Sequence, residues 1–359
     1  MMMQVAKVNI LNPTYGWSLV SDESNFKLYK GTTHDDTTLH CGHMDVVGTV
    51  DEVIELFRTD TTQQGREYCR RTQRTLVDYV NLYDILAPSP EHPHDKIQIK
   101  WILGKSPLNG LVRKRDFCCL ETTQELVVDG TRIWVRAYKS IELDCCPDLH
   151  SKFGVVRGTL NGMGHVFMES MDRPGNLSMT YVNHFQVNGS TPEWVIQQAS
   201  QFRCRNVLDI DRFLRENRLS KTPFLTPSQW APHDKWTACV ICHKKFGALR
   251  KKTNCTKCGH VVCTSCNRPW MVRILGSWSK MLVCAGCTVS GLKRVTKTSP
   301  DERRISMDIS AIDRPESITW ASDVLSPSDV LSPDSAFQDL TFSEDEIDSP
   351  TRIVFNRYR

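Results

Sequence analysis

Apolar and polar residues alternate over Ile97-Gln98-Ile99-Lys100-Trp101, and a second strand-like run covers Ile133-Trp134-Val135-Arg136-Ala137. Leu39 to Val50 reads as a strand, and Phe153 to Glu169 and Leu177 to Val187 are long enough to be paired strands. Gly158, Gly162 and Gly164 mark a turn or bulge within the first of that pair, and Asn188-Gly189-Ser190 ends the sheet. The period changes elsewhere. Thr49-Val50-Asp51-Glu52 is a capping box that opens a short helix carrying Val53, Ile54, Leu56 and Phe57. Glu67 to Leu86 reads as helical. Thr191-Pro192 predicts the start of a last helix, with a threonine N-cap and proline at the first helical position. Val195, Ile196, Ala199, Phe202 and Cys204 give that helix an apolar face, which Leu208, Ile210, Phe213 and Leu214 continue. The expected fold over residues 13–220 is therefore α+β, a curved antiparallel sheet with a long C-terminal helix.

Beyond Ser299 the pattern fades. Asp, Ser and Pro dominate, and Ser322-Asp323-Val324-Leu325-Ser326-Pro327 repeats at once as Ser328-Asp329-Val330-Leu331-Ser332-Pro333. Such a segment buries too little surface to offset chain entropy, so residues 298–359 are expected to be a disordered acidic tail. Ser-Pro dipeptides at Ser299, Ser326, Ser332 and Ser349 suit proline-directed kinases and are candidate phosphorylation sites.

Between the two lies a ladder of cysteines in four Cys-x-x-Cys pairs: Cys239/Cys242, Cys255/Cys258, Cys263/Cys266 and Cys284/Cys287. A two-residue spacer lets both sulfurs of a pair turn onto one ion, and zinc takes four thiolates tetrahedrally. Eight thiolates make two closed sites, so the expected cofactor is two Zn²⁺. Only four residues separate the second pair from the third, too few for two knuckles set end to end. An interleaved pairing fits instead, with pairs one and three on one ion and pairs two and four on the other.

The chain has 359 residues and 15 cysteines. The seven outside the ladder (Cys41, Cys69, Cys118, Cys119, Cys145, Cys146 and Cys204) show no disulfide framework and read as buried small hydrophobes. The first residues lack the charge and apolar pattern of a secretory leader, and no stretch of about 18 apolar residues is present. A cytoplasmic setting is expected, with no transmembrane segment. The net charge of +4 hides an asymmetry. Lys235 to Pro300 carries 13 Lys and Arg and no acid, whereas Asp301 to Arg359 carries 13 acids against 6 Arg. The basic half attracts anionic partners. It lacks a recognition-helix pattern, so nucleic acid is not the expected partner.

Several stretches outside the cysteines carry family resemblances. Lys100-Trp101, Arg115-Asp116-Phe117-Cys118, Val155-Val156-Arg157-Gly158 and the terminal amphipathic helix resemble the START-like, helix-grip lipid-binding fold, particularly the START-like plus zinc-finger proteins numerous in oomycetes. The resemblance implies a tunnel for a hydrophobic lipid or sterol-like ligand; the alternative is a filled core that binds nothing. Arg115, Asp116, Arg157 and Glu169 would either orient a headgroup or form an ion pair under the sheet.

The cysteine spacing over residues 230–292, with Trp230 nine residues before Cys239, Phe246 nine before Cys255, and Gly259 after Cys258, resembles the FYVE zinc finger. That family holds phosphatidylinositol 3-phosphate on endosomal membranes through a basic strand R-(R/K)-H-H-C-R. Here the strand reads Lys251-Lys252-Thr253-Asn254-Cys255-Thr256. Both histidines and the later arginine are gone, Leu282 stands for a further arginine, and His233 occupies the acid position of W-x-x-D, with Asp234 one place late. Each lost charge-assisted contact is worth on the order of 1.5–3 kcal/mol. What remains is Arg250, Lys251 and Lys252 behind the Ala248-Leu249 loop tip, either a surface for weak, poorly selective contact with anionic membrane lipid or a solvated face.

The expected function is a non-catalytic zinc-binding adaptor, peripheral on endosomal membranes. The alternatives are a RING-like E3 ubiquitin ligase using Val240-Ile241 and Pro269-Trp270, or another protein-interaction finger. No hydrolase motif is present, and His34, Asp35 and Asp36 read as loop residues.

Overall fold

The computed structural model describes residues 15–33, 37–72, 75–106 and 112–289. The proposed tail with Ser299, Ser326, Ser332 and Ser349, and the loop at His34 to Asp36, lie outside them. Ten strands form one sheet: β1 (Ser18–Glu23), β2 (Phe26–Thr32), β3 (Thr38–Val47), β4 (Leu76–Leu86), β5 (Lys96–Gly104), β6 (Arg115–Val128), β7 (Thr131–Ser140), β8 (Val156–Arg157), β9 (Thr159–Glu169) and β10 (Asn176–Gln186). Their order is β1-β2-β3-β10-β9-β7-β6-β5-β4, antiparallel throughout, with the short β8 parallel to β6.

Helices cover one face. Helix α1 (Val50–Leu56) begins at the expected capping box: Thr49 Oγ1 accepts from Glu52 N–H at 3.3 Å, and Glu52 Oε2 accepts from Thr49 N–H at 3.1 Å. Helix α2 (Thr62–Thr72) and the single turn α3 (His150–Phe153) follow, then α4 (Glu193–Arg205) and α5 (Asp209–Ser220), joined by a 3₁₀ turn at Asn206–Leu208. The principal core buries Phe26, Val53, Phe57, Trp134, Phe167 and Met179 against Val207, Phe213 and Leu214 of the terminal helical segment.

Four local expectations are corrected. Leu76–Leu86 is strand β4 and not helix; its Leu-Val-Asp-Tyr-Val-Asn sequence pairs with β5 through three register shifts, which hide the period of two. Phe153 closes α3, so the strand there begins later, and the expected bulge falls where register slips between His184 and Phe185 opposite Gly162 and Leu160. Thr191 does not cap α4, whose N-cap is Pro192. Thr191 Oγ1 instead accepts from Arg115 Nη2 at 2.6 Å. Of the seven outlying cysteines, Cys145 is exposed, within a Leu143–Pro147 turn closed by Cys146 N–H to the Leu143 carbonyl at 2.9 Å.

The sheet interior holds charge. Glu121 pairs with Arg136 at 2.5 Å and with Lys100, all three buried. Burial pushes the Glu121 carboxyl up, but the two cations outweigh it and hold it at about 2. Asp116 accepts from Trp101 Nε1 at 2.7 Å and from Arg157 Nη2 at 2.9 Å, while Arg115 donates to the Val187 and Asn188 carbonyls. Of the four polar residues considered for a headgroup, Asp116 and Arg157 therefore form the ion pair under the sheet. Arg115 secures the β10–α4 loop, and Glu169 ends β9 opposite Leu177.

The C-terminal part adds two hairpins and a helix: β11 (Lys252–Asn254) with β12 (Val261–Cys263), β13 (Asn267–Ile274) with β14 (Ser277–Cys284), and α6 (Ala285–Val289). It packs with the sheet in one compact unit. Helix α5 makes the joint: Glu216 Oε1 accepts from Met271 N–H at 3.2 Å, Ser220 Oγ from Arg273 N–H at 2.9 Å, and the Leu219 carbonyl from Lys257 Nζ at 2.8 Å. No helix among the described residues is long and apolar enough to cross a membrane.

Candidate metal centre and basic groove

The first two pairs fold as knuckles because the residue after each turns left-handed. His243 has φ 56° and its N–H donates to the Cys239 carbonyl at 2.8 Å; Gly259 has φ 74° and its N–H donates to the Cys255 carbonyl at 2.8 Å. This places His243 beside the first site as a backbone element, with its side chain exposed. A side chain at Gly259 would meet the Gln229 carbonyl at 3.1 Å.

The eight sulfurs gather as Cys239, Cys242, Cys263 and Cys266 in one group and Cys255, Cys258, Cys284 and Cys287 in the other, each group within 4.8 Å. This is the interleaved pairing that the short gap requires. Tetrahedral zinc at about 2.3 Å from each sulfur sets the sulfurs about 3.8 Å apart. The cross-pair distances Cys242–Cys263 and Cys258–Cys284 are both 3.9 Å. Donors and spacing fit two Zn²⁺, and the protein is a zinc-finger protein with two zinc ions as cofactor. Backbone amides support the ligands: Cys263 N–H donates to Cys239 Sγ at 3.3 Å, and Cys284 N–H to Cys255 Sγ at 3.2 Å. Burial pushes the Cys239 thiol up, but amides of Cys242, Cys263 and Ile241 hold it down at about 7, toward the thiolate that a metal needs.

Beside the second knuckle lies an open groove of about 740 Å³, walled by Asp234, Trp236, Lys245, Phe246 and the run Arg250, Lys251, Lys252. Lys245 and Trp236 were not singled out from sequence; the Ala238–Lys245 bridge carries Lys245 to the wall. Above the groove the chain turns tightly through Ala248-Leu249, closed by Gly247 and Arg250 exchanging N–H···O bonds of 3.3 and 3.0 Å. Leu249 is 102 % exposed. Lys252 donates to the His233 carbonyl at 2.7 Å and sits 5.6 Å over the Phe246 ring, whereas Arg250 and Lys251 have no carboxylate partner among the described residues.

The positions where the basic strand departs from R-(R/K)-H-H-C-R point inward. Thr253 Oγ1 donates to the Val262 carbonyl at 3.1 Å. Asn254 Nδ2 donates to the Ala231 and Gly259 carbonyls at 2.8 and 3.0 Å, and its Oδ1 lies 2.5 Å from His233 Nε2. Thr256 Oγ1 donates to the Leu282 carbonyl at 2.8 Å. These side chains tie the finger together and offer the groove little. Val240, Ile241 and Trp270, considered as a docking surface for a conjugating enzyme, are partly buried against the finger's own core.

Residues 229–293 match the FYVE zinc finger family. A curated relative, human RUN and FYVE domain-containing protein 1, is 34% identical over 71 residues, which are 20% of this chain and 10% of that protein. The chain thus spans about a tenth of the length of that relative. Similar solved structures include human StAR-related lipid transfer protein 5 (TM-score 0.47, 18% identity, 60% of this chain and 91% of that one). Human STARD10 has TM-score 0.42 and 15% identity over 58% of this chain and 74% of that one. The lipid transfer and protein localization domain of human StarD13 has TM-score 0.42 and 16% identity over 58% and 94%.

Proposed function

We propose that this protein is a non-catalytic, lipid-handling adaptor whose finger docks on anionic membrane surfaces, endosomal ones included, while the START-like sheet domain takes a hydrophobic ligand. The observation that carries the reading is Leu249, fully exposed at the tip of a tight turn with Arg250 and Lys251 just behind it. An apolar tip enters the headgroup layer, and each cation near an anionic surface adds about 1 kcal/mol that salt screens. The inward-turned Thr253, Asn254 and Thr256 favour attraction by charge over recognition of one phosphoinositide. Four sulfur ligands per zinc leave no open position for water, which supports a structural metal and no hydrolytic chemistry.

The test is partitioning of the full chain onto vesicles with and without phosphatidylserine. Binding should require the anionic lipid, weaken about tenfold on raising salt from 50 to 200 mM, and fall by about tenfold in Leu249→Asp. Binding to neutral vesicles equal to that on anionic ones, or an unchanged Leu249→Asp, would reject the reading.

A further inference from the structure

Among the described residues, the buried cations of the sheet domain, Lys100, Arg115, Arg136 and Arg218, have oxygen partners. Lys100 and Arg136 share Glu121, Arg157 has Asp116, Arg115 has carbonyls and Thr191, and Arg218 has Glu52. Arg203, in the last turn of α4, has no oxygen acceptor among the described residues. Its guanidinium lies 5.1 Å from the Phe185 ring centroid and 5.7 Å from that of Phe117, and Nη1 is 3.8 Å from Met163 Sδ. Its Nη2 faces the bare side of Gly104, 3.5 Å from where a Cβ would stand.

Such a cation is costly. Guanidinium stays charged in proteins, and a charge taken out of water needs a counter-charge or hydrogen bonds. Ring faces and a thioether offset only part of this. Burial accordingly pushes Arg203 below its ordinary range. Arg203 and Met163 nevertheless keep part of their surface accessible while Phe117, Tyr181 and Phe185 around them are buried. Tyr181 adds a phenol hydroxyl with no hydrogen-bond partner among the described residues. One fixed cation, one hydroxyl and surrounding aromatic walls suit the head and first methylenes of an anionic amphiphile.

We infer that Arg203 is the anchor for the acidic head, a carboxylate or phosphate monoester, of an amphiphile held between α4 and strands β6, β9 and β10. This rests on the proposed lipid-binding role of the sheet domain and names the class of ligand it takes.

The full chain is titrated with cis-parinaric acid and with its methyl ester, followed by lipid fluorescence. The acid should bind at least about tenfold more tightly than the ester, since the two share the tail and differ at the head in charge and one methyl group. Arg203→Met should bring the acid to the affinity of the ester, leave the ester unchanged, and keep or raise Tm, because it removes an uncompensated charge. Arg203→Lys should retain the preference for the acid, which covers failure of the methionine variant to fold. Competition by oleate and by oleoyl lysophosphatidic acid, against monooleoylglycerol, separates carboxylate from phosphate; displacement by the neutral glyceride as effective as by both acids overturns the inference. Equal binding of acid and ester overturns it while leaving a lipid-binding interior intact. Binding of neither probe overturns both.

Discussion

Arg218 donates to both carboxylate oxygens of Glu52, Nε to Oε1 and Nη2 to Oε2, each at 2.7 Å. The same carboxylate closes the capping box of α1, and the same guanidinium reaches the Val47 carbonyl at 3.1 Å and the Thr288 carbonyl at 2.9 Å. One fork therefore joins a strand end, a helix start and the last helix of the finger. Removing one partner of a buried pair costs about 3–5 kcal/mol. Arg218→Ala should lower the unfolding free energy by that amount in denaturant titrations. Arg218→Lys should recover only part, lacking the planar fork. A change within 1 kcal/mol for Arg218→Ala would show the joint to be unimportant.

Helix α2 approaches β4 closely at Gly65, where an added Cβ would stand 2.1 Å from Tyr79 Cδ1. Tyr79 cannot swing away freely, because its hydroxyl holds Glu121 at 3.0 Å and Thr59 at 3.2 Å. Gly65→Ala should therefore cost at least about 1–3 kcal/mol by overpacking, against a normal gain in helix propensity for that substitution. Thermal unfolding measures the sign.

These two contacts show what the sequence made legible. The capping box was readable because it is local, contained in Thr49 to Glu52. So was the cysteine ladder, since spacing alone limits how eight sulfurs can share two ions. Strand β4 was hidden by three register shifts, and its best clue, a glycine in α2 facing Tyr79, has meaning only once the two elements are packed. The departures from the R-(R/K)-H-H-C-R pattern were readable as absences. What replaced them was not, because the partners of Thr253, Asn254 and Thr256 are carbonyls on other segments. Arg203 escaped notice for the same reason: in the sequence it is one more basic residue near the end of an amphipathic helix.

His165 is buried among Phe57, Phe167 and Tyr181, and burial pushes its imidazole down to about 3. His40, buried near Lys30, is pushed down to about 4. Both stay neutral in the folded chain at pH values where the unfolded chain, with an ordinary value near 6.5, takes up protons. Stability should therefore fall as pH drops below 6.5, by at most about 1.4 kcal/mol per pH unit for each histidine. His165→Phe should remove up to about 2 kcal/mol of the loss between pH 6.5 and 5 in denaturant titrations. An unaltered pH slope would contradict the burial of a neutral imidazole there.

Zinc holds the finger, and the finger is joined to α5. Chelation should release two equivalents of zinc per chain and unfold residues 229–289, since structural zinc contributes on the order of 10–16 kcal/mol in finger peptides. Hydrogen exchange should then rise across β11 to α6 and at the Met271 and Arg273 amides, which lose Glu216 and Ser220 as acceptors. A C-terminal part that stays protected after complete zinc removal would be incompatible with these sites.

The finger holds two four-cysteine sites and a basic turn, and Thr253, Asn254 and Thr256 bond to carbonyls of the chain itself. The most direct measurement is sedimentation of the full chain with vesicles bearing phosphatidylinositol 3-, 4- or 5-phosphate at equal density, at physiological salt. Binding should be alike on all three within about threefold, and should decline together as salt is raised. A preference of about thirtyfold or more for the 3-phosphate, equivalent to roughly 2 kcal/mol, would contradict charge-driven docking and mean that Arg250, Lys251 and Lys252 suffice for specific recognition.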